Sequence, residues 1–191
     1  MTAPDPRPLT GEPLALDLLN TRWDDGDRIP CDLLTDTAGL AVWLSAAALP
    51  EEAAGRWTAD QYTLLALRET RDALAAAARA PLKPSALAVR AVNSQLAYGR
   101  RRLQLGTDGR PTSTVAVDDP SRLVGWLAAE NYLALLERAP TRIRACAAER
   151  CPLFFFDVSL NGRRRWCSMS TCGNRNKAAR FSAARRGGSR V

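Results

Sequence analysis

Four of the five cysteines lie in one short segment of the chain. Cys146 and Cys151 form one close pair, Cys167 and Cys172 form a second, and each pair has four residues between its cysteines. Two close cysteine pairs separated by a short insert are typical of a structural zinc site, in which each pair binds the metal from one turn. Four thiolates close a tetrahedron about 2.3 Å from the ion and leave no position for water. We therefore predict one structural Zn²⁺.

Cysteines that cluster in this way have other uses. They can be buried without metal, form redox disulfides or hold an iron–sulfur cluster, although neither familiar iron–sulfur spacing is present. A module this small has too little core to fold on hydrophobic burial alone, whereas zinc contributes ~10–16 kcal/mol to such peptides. The chain has no histidine, so the all-cysteine site is the only conventional structural zinc site it can make. Cys31 stands apart, and we predict that it is a small core residue.

The residue types also bear on catalysis. The absence of histidine removes the commonest general base and every Ser-His or Cys-His arrangement. The sequence contains neither a Gly-rich phosphate loop nor a G-x-S-x-G nucleophile elbow. We expect that the protein is not an enzyme.

The net charge of +7 is unevenly distributed. Residues 141–191 contain 12 Arg and Lys against two acidic residues, whereas residues 1–140 contain 15 basic and 18 acidic residues. A basic C-terminal part favours an anionic partner, and DNA is the partner we predict. The alternative is a protein–protein interaction module in which zinc only stabilises a docking surface. The predicted nucleic-acid-binding residues are Arg163, Arg164, Arg165, Arg175, Lys177 and Arg180.

The elements that must position these residues are mainly α-helical. Apolar residues at helical spacing predict helices over residues 35–49, 58–80, 85–98 and from 119 onward. Thr58 and Gln61 have the spacing of a capping box, and Ser85 is a predicted N-cap with Leu87 facing inward. Residues 13–21 fit either a short helix or a strand, and residues 22–30 read as a charged loop. Residues 102–105 and 112–117 predict a hairpin around Asp108-Gly109.

The insert between the cysteine pairs predicts a second hairpin. Residues 153–158 form a strong strand pattern, Asn161-Gly162 is a turn signal, and residues 163–167 would return as the second strand. Phe154, Phe156 and Val158 would then share one face. After Cys172, the basic sequence is helix-prone, with Asn174 as its N-cap. This order resembles a treble-clef zinc finger, so the fold class is a mainly α protein with small β-hairpins and a C-terminal treble-clef-like finger.

Two stretches carry a resemblance to known families. Residues 167–181, CSMSTCGNRNKAARF, resemble the CGNR zinc finger family, and the preceding CPLFFFDVSLNGRRRWCSM fits it as well. LALDLLNT, residues 14–21, resembles the start of the ABATE domain that usually precedes this finger. The resemblance implies two modules, an ABATE-like domain over 1–140 and a finger over 141–191. It departs from the family in the first pair, where CAAERC lacks the aspartates of many members.

The resemblance also implies a function. The family is described as stress-induced transcription regulators, so it implies a zinc-binding regulator that contacts DNA, with Cys146, Cys151, Cys167 and Cys172 as ligands. The body would act as a sensor or dimerisation domain, and a homodimer or a protein partner is expected. No polar constellation in the body points to a small-molecule effector. No apolar run approaches the roughly 20 residues that cross a bilayer, and we expect a cytoplasmic protein without a membrane partner.

Overall fold

The structure is a computed structural model that describes residues 3–178 except residues 26 and 28. Arg180 and the rest of the basic C-terminal segment lie outside the described residues. The helices are α1 (Leu14–Leu19), α2 (Thr37–Ala46), α3 (Gln61–Ala78), α4 (Ala86–Leu96) and α5 (Leu123–Arg138). The strands are β1 (Arg22–Asp24), β2 (Pro30–Asp32), β3 (Gly99–Leu105), β4 (Pro111–Val117), β5 (Ile143–Ala145) and β6 (Phe154–Phe156). Within this described part, every helix is too short or too polar to cross a membrane.

Helix α3 lies at the centre of the body and packs against α1, α4 and α5. Its residues Leu64, Leu67 and Leu74 are buried, as the helical periodicity predicts. All six residues of α1 are buried as well. This segment is therefore a core helix, which resolves the choice between helix and strand that its short apolar run left open. The prediction of a mainly helical fold with small antiparallel hairpins is confirmed.

Polar residues in and after α1 are buried and have partners. The Asp17 carboxylate accepts hydrogen bonds from the Arg7 guanidinium at 2.8 Å and from the Trp43 indole at 2.9 Å. The Thr21 hydroxyl accepts a hydrogen bond from Arg71 at 2.8 Å. A buried polar group left without a partner costs about 1–3 kcal/mol, so these hydrogen bonds offset the cost of burying the polar residues in the core.

The start of α3 differs from the prediction. The helix begins at Gln61, and Thr58 does not cap it. Instead, the Asp60 carboxylate accepts a hydrogen bond from the Thr63 backbone N–H at 2.8 Å, while the Thr58 hydroxyl donates to Asp60 at 2.6 Å. The predicted capping box is therefore wrong. A carboxylate directly before the first helical residue is the stronger cap, because it carries a full negative charge at the positive end of the helix dipole.

Helix α4 begins after Ser85, whose hydroxyl accepts a hydrogen bond from the Ala88 N–H, as predicted. The inward orientation predicted for Leu87 is wrong, because its side chain is 70% exposed. Ala88 and Val92 are the buried residues of this helix. They lie four residues apart on one face, and Leu87 lies about 100° away from Ala88 around the helix axis.

Two hairpins flank the helices. The predicted hairpin of β3 and β4 is confirmed and is longer than expected, with Arg101 opposite Val115 and with Gly109 at a φ of 77° in its turn. The predicted loop over residues 22–30 instead contributes β1, which pairs with β2.

The strand pairing predicted for the finger is wrong. Strand β6 pairs with β5, which precedes the first cysteine pair, and residues 163–167 form no strand. The chain does turn at Asn161-Gly162, where Gly162 has a φ of 61°. The first cysteine pair therefore lies in the connection between β5 and β6. The segment 163–167 contacts this connection through a backbone hydrogen bond, in which the Ala147 N–H donates to the Arg165 carbonyl.

Strand β6 joins the finger to the body. Phe154, Phe155 and Phe156 are all buried, so the predicted alternation fails, and Val158 is 76% exposed. The Asn20 side-chain amide donates to the Phe154 carbonyl at 2.9 Å and accepts from the Phe154 N–H at 2.8 Å. These residues belong to the same hydrophobic core as the helices. The division at residue 140 stays a prediction, and the parts on either side of it share this core.

We predict that Asn20→Ala destabilises the whole chain. The change leaves two buried backbone groups of Phe154 without partners, each worth about 1–3 kcal/mol, so the free energy of unfolding should fall by about 2–4 kcal/mol. Urea denaturation of the zinc-loaded protein measures this decrease. Asn93→Ala, at an exposed position of α4, is the matched control and should change stability by no more than about 0.5 kcal/mol. Equal effects of the two substitutions would contradict the assignment.

Candidate metal centre

The structure brings the four predicted cysteine ligands together. All four sulfur atoms lie within 4.8 Å of one another, and Cys146, Cys167 and Cys172 are buried while Cys151 is half-buried. The Sγ atoms of Cys151 and Cys167 are 3.8 Å apart, and those of Cys167 and Cys172 are 3.6 Å apart. A tetrahedron with zinc–sulfur distances of about 2.3 Å has sulfur–sulfur edges of about 3.8 Å. The cluster therefore fits one structural zinc ion.

The first cysteine pair sits on a tight turn between β5 and β6. The Cys146 N–H donates to the Leu153 carbonyl at 2.8 Å, which closes the base of the turn. The Cys151 N–H donates to the Ala148 carbonyl at 3.1 Å. Arg150 has a φ of 64°, the left-handed conformation that turns the chain back toward the metal position. The turn thus points both sulfur atoms to one side.

In the second pair, Cys167 precedes a helical turn and Cys172 lies within it. The Ser168 side chain accepts a hydrogen bond from the Thr171 N–H, and a π-helical turn follows over Met169–Gly173 before residues 174–178 continue as α-helix. The predicted N-cap role of Asn174 is therefore wrong, because Ser168 caps the helix six residues earlier. Asn174 lies inside the helix, and its side-chain amide donates to the Ser170 carbonyl at 3.2 Å.

Gly173 lies close to neighbouring side chains and does not have a positive φ. A Cβ atom at this position would lie 3.0 Å from the Met169 sulfur and 3.4 Å from the Trp166 ring. Both contacts are shorter than, or at the limit of, ordinary van der Waals separation. A larger residue at this position of the CGNR tetrapeptide would therefore require the flexible end of the Met169 side chain to shift.

The electrostatics of the cluster favour a divalent cation. Hydrogen bonds with the Cys151 and Cys167 thiols lower the pKa of Cys146 to about 2. The interaction with Cys146 in turn raises the pKa of Cys151 to about 12, and it also raises the pKa of Cys167. Removal of the first proton thus makes the next protons harder to remove. A dication supplies the positive charge that lets all four thiols ionise together.

A buried carboxylate organises the loop that carries the arginine run. Asp157 is fully buried and accepts hydrogen bonds from the Ser159 N–H and hydroxyl and from the Arg164 N–H. Arg142 donates to the Asp157 and Ser159 carbonyls at 2.6 and 2.8 Å. These contacts hold the loop against the β5–β6 hairpin although residues 163–167 form no strand.

The predicted nucleic-acid-binding residues do not share one environment. Arg163, Arg165, Arg175 and Lys177 are exposed, and Arg180 lies outside the described residues. Arg164 is half-buried: its guanidinium lies 4.4 Å from the centre of the Phe155 ring and donates to the Trp166 and Cys167 carbonyls. Its contacts therefore tie the second cysteine pair to strand β6.

Sequence reasoning misses the residues that anchor the finger. Asn20 lies in the stretch that resembles the ABATE family, and Asp157 lies on the predicted strand over residues 153–158. The sequence assigns neither residue a role. The signal that could identify them is the presence of Asp157 and Asn20 within apolar runs, because a polar residue at a core position needs an internal partner. The partner of Asn20 is backbone 134 residues away, which no local pattern reveals.

Removal of one ligand tests the metal centre. We predict that Cys172→Ser lowers zinc content well below one ion per chain after dialysis against a mild chelator, and that the finger unfolds because zinc supplies ~10–16 kcal/mol to such modules. Metal analysis and amide hydrogen exchange over residues 142–178 measure the two effects. Cys31→Ser, at the fifth cysteine, is the control and should retain full zinc. Stoichiometric zinc in the Cys172→Ser protein would contradict the assignment.

Comparison with known families supports the same organisation. The ABATE family model, described as "Putative stress-induced transcription regulator", matches residues 12–148. The CGNR zinc finger model matches residues 142–186, which include all four clustered cysteines. No curated protein matches the chain significantly. The two matches overlap at residues 142–148, where β5 and Cys146 lie. Both resemblances are confirmed, and the chain belongs to the ABATE family with a C-terminal CGNR zinc finger.

Proposed function

We propose that this protein is a transcription regulator whose zinc-stabilised finger binds DNA. The observation that carries the proposal is the exposure of Arg163, Arg165, Arg175 and Lys177 on segments that the cysteine cluster holds in place. The family description names a transcription regulator, which supports the same role. A response to stress is part of the proposal on that description alone.

The charge of the C-terminal part suits a nucleic acid. Residues 141–191 have a formal net charge of +10. Four thiolates and one Zn²⁺ together contribute −2, which leaves about +8 when metal is bound. A basic surface of this kind binds phosphates and releases condensed counterions, so its affinity should fall steeply with salt. Arginine can in addition bind guanine edges through two hydrogen bonds, which would supply sequence preference.

Arg164 has a different role in this proposal. Its guanidinium is held by the Phe155 ring and by two backbone carbonyls, so it is poorly placed to contact a phosphate without breaking those contacts. We assign it a positioning role, in which it links the arginine run to the core. Arg163 and Arg165, its exposed neighbours, would make the contacts with DNA.

The metal has a structural role in this proposal. Four sulfur donors complete a tetrahedral site and leave no coordination position for a water molecule or a substrate. The proposed activity is therefore binding rather than catalysis.

Charge reversal tests DNA binding. We predict that the zinc-loaded protein binds duplex DNA with an affinity that falls as salt rises. Changing Arg163, Arg165, Arg175 and Lys177 together to Glu should abolish binding at moderate salt. Where weak binding persists, its log–log salt slope should be smaller by about one unit for each phosphate that the variant no longer binds. Fluorescence anisotropy with labelled genomic fragments at several salt concentrations measures both effects.

The control places reversed charges at a distant surface. Arg79→Glu and Arg90→Glu change exposed arginines at the end of α3 and on α4, and they should leave most of the affinity intact. Binding that is absent in the parent protein, or that is equally weakened by both sets of changes, would count against the finger as the DNA contact. If the parent protein binds a protein partner and has no affinity for DNA, the result would favour the interaction-module alternative.

Single substitutions separate positioning from contact. We predict that Arg164→Ala lowers the free energy of unfolding by about 1–3 kcal/mol, since it removes a cation–π contact and charged hydrogen bonds at a half-buried position. Arg163→Ala should leave stability within about 0.5 kcal/mol and weaken DNA binding instead. Urea denaturation and DNA titration of both variants make the comparison. The reverse order of effects would contradict the division of roles.

A further inference from the structure

The four cysteines of the metal centre differ in their access to solvent. Cys146, Cys167 and Cys172 are buried, whereas Cys151 is half-buried. Arg150, directly before Cys151, is exposed, so the turn between β5 and β6 carries this ligand at the surface of the finger. A reagent that approaches from solvent therefore meets Cys151 before the other ligands.

A small cavity lies beside this ligand. Its volume is about 40 Å³, and its wall includes Cys151, Cys167 and Cys172. Since a water molecule needs roughly 10–15 Å³, the cavity has room for a molecule of a few heavy atoms. The cavity therefore brings a reagent of this size to three of the four cysteines.

The charges around the cavity balance. Arg150 and Arg175 line it together with Asp24 and Glu149. Two positive and two negative side chains give the wall no net charge, so it favours neither anions nor cations. A small neutral molecule therefore meets no electrostatic barrier at this wall. Among oxidants of cysteine, hydrogen peroxide has this size and charge, whereas a hydroperoxide with a large organic group does not fit.

A second sulfur atom lies close to Cys151. The Sγ atoms of Cys151 and Cys167 are 3.8 Å apart, and both residues line the cavity. Coordination to a metal deprotonates a thiol, so both cysteines would be thiolates in the zinc-loaded finger. A partly exposed thiolate beside a second cysteine is typical of a cysteine that is oxidised reversibly.

We propose that Cys151 is a peroxide-reactive site at which oxidation releases the zinc ion. The Cys151 thiolate attacks one oxygen of hydrogen peroxide, the O–O bond breaks, and the departing hydroxide takes a proton from solvent to become water. The sulfur is thereby oxidised by two electrons to a sulfenic acid, and the peroxide is reduced by the same two electrons. The Cys167 thiolate then attacks the sulfenic sulfur, an S–S bond forms as the S–O bond breaks, and a second hydroxide leaves and is protonated to water.

The disulfide removes two of the four metal ligands. Cys146 and Cys172 alone cannot complete the tetrahedron of a structural zinc site, so the ion should be released and the finger should unfold. Reduction of the disulfide and return of zinc should restore the finger. This switch goes beyond the proposed function and operates whether or not the finger binds DNA.

Peroxide treatment of the zinc-loaded full chain tests the proposal. A chromogenic chelator should record zinc release in step with disulfide formation, and mass spectrometry after thiol alkylation should find the Cys151–Cys167 disulfide before any other. A dimedone-type probe, added during the reaction, should label the sulfenic acid at Cys151. Retention of zinc, a first disulfide between another pair of cysteines, or a label on another member of the cluster would overturn the proposal.

Cys31 is the control for exposure, because it is half-buried like Cys151 but lies outside the cluster. Exposure alone would oxidise both cysteines at similar rates, whereas we expect Cys151 to react about tenfold faster or more. The Cys31→Ser variant should release zinc at the rate of the parent protein. Equal oxidation of Cys31 and Cys151, or slower zinc release from the variant, would contradict the assignment to Cys151.

A bulkier oxidant tests the role of the cavity. Cumene hydroperoxide is neutral but large, so it should release zinc more slowly than hydrogen peroxide does. Each rate is divided by the rate of the same oxidant on the urea-unfolded, zinc-free chain, which removes the difference in intrinsic reactivity. Equal normalised rates would show that the oxidant does not need the cavity and would overturn its role.

Reversal distinguishes a switch from oxidative damage. Dithiothreitol followed by zinc should restore the protection of residues 142–178 from amide hydrogen exchange. A finger that stays unprotected after this treatment would show irreversible oxidation and would overturn the switch.

Discussion

The convergence of four sulfur atoms is the constraint on which the C-terminal part of this protein depends. All four sulfur atoms lie within 4.8 Å of one another, and once Cys146 has ionised, its charge raises the pKa of Cys151 and Cys167. A divalent cation stabilises all four thiolates together, and the surrounding chain holds the four sulfur atoms in position around it. A left-handed residue directly before Cys151 and a capped π-helical turn that contains Cys172 both help to position the ligands.

The finger rests on the helical body through contacts that differ in kind from the metal bonds. Three consecutive phenylalanines enter the core, and the Asn20 amide pairs with the backbone of the first of them. Phe156 adds a second link through its N–H, which donates to the Glu12 carboxylate at 2.8 Å. The finger and the helical body therefore share one hydrophobic core.

The sequence predicts the parts of this structure that have a local signature. Cysteine spacing identifies the metal ligands, Ser85 marks the start of α4, and Asp108-Gly109 locates the turn of the β3–β4 hairpin. The pairing of β5 with β6 could not be predicted, because three-residue strands leave too short a pattern to recognise. The role of Arg164 is only partly predictable: alternation along the predicted strand places it on the face opposite Arg163 and Arg165, but only the position of the Phe155 ring shows that its guanidinium is covered. The role of Asn20 could not be predicted, because its partner Phe154 is 134 residues away in the sequence.

The burial of β6 bears on whether the finger of this protein can be separated from its helical body. A fragment cut at the start of the finger would keep every metal ligand and still expose three aromatic rings that the helices now cover. Such a fragment would be prone to aggregate even with its ion in place, because the metal closes the loop but cannot shield those rings. Transplanting the finger onto another protein would thus require either a host with a complementary hydrophobic surface or a redesigned strand in which polar residues replace the phenylalanines.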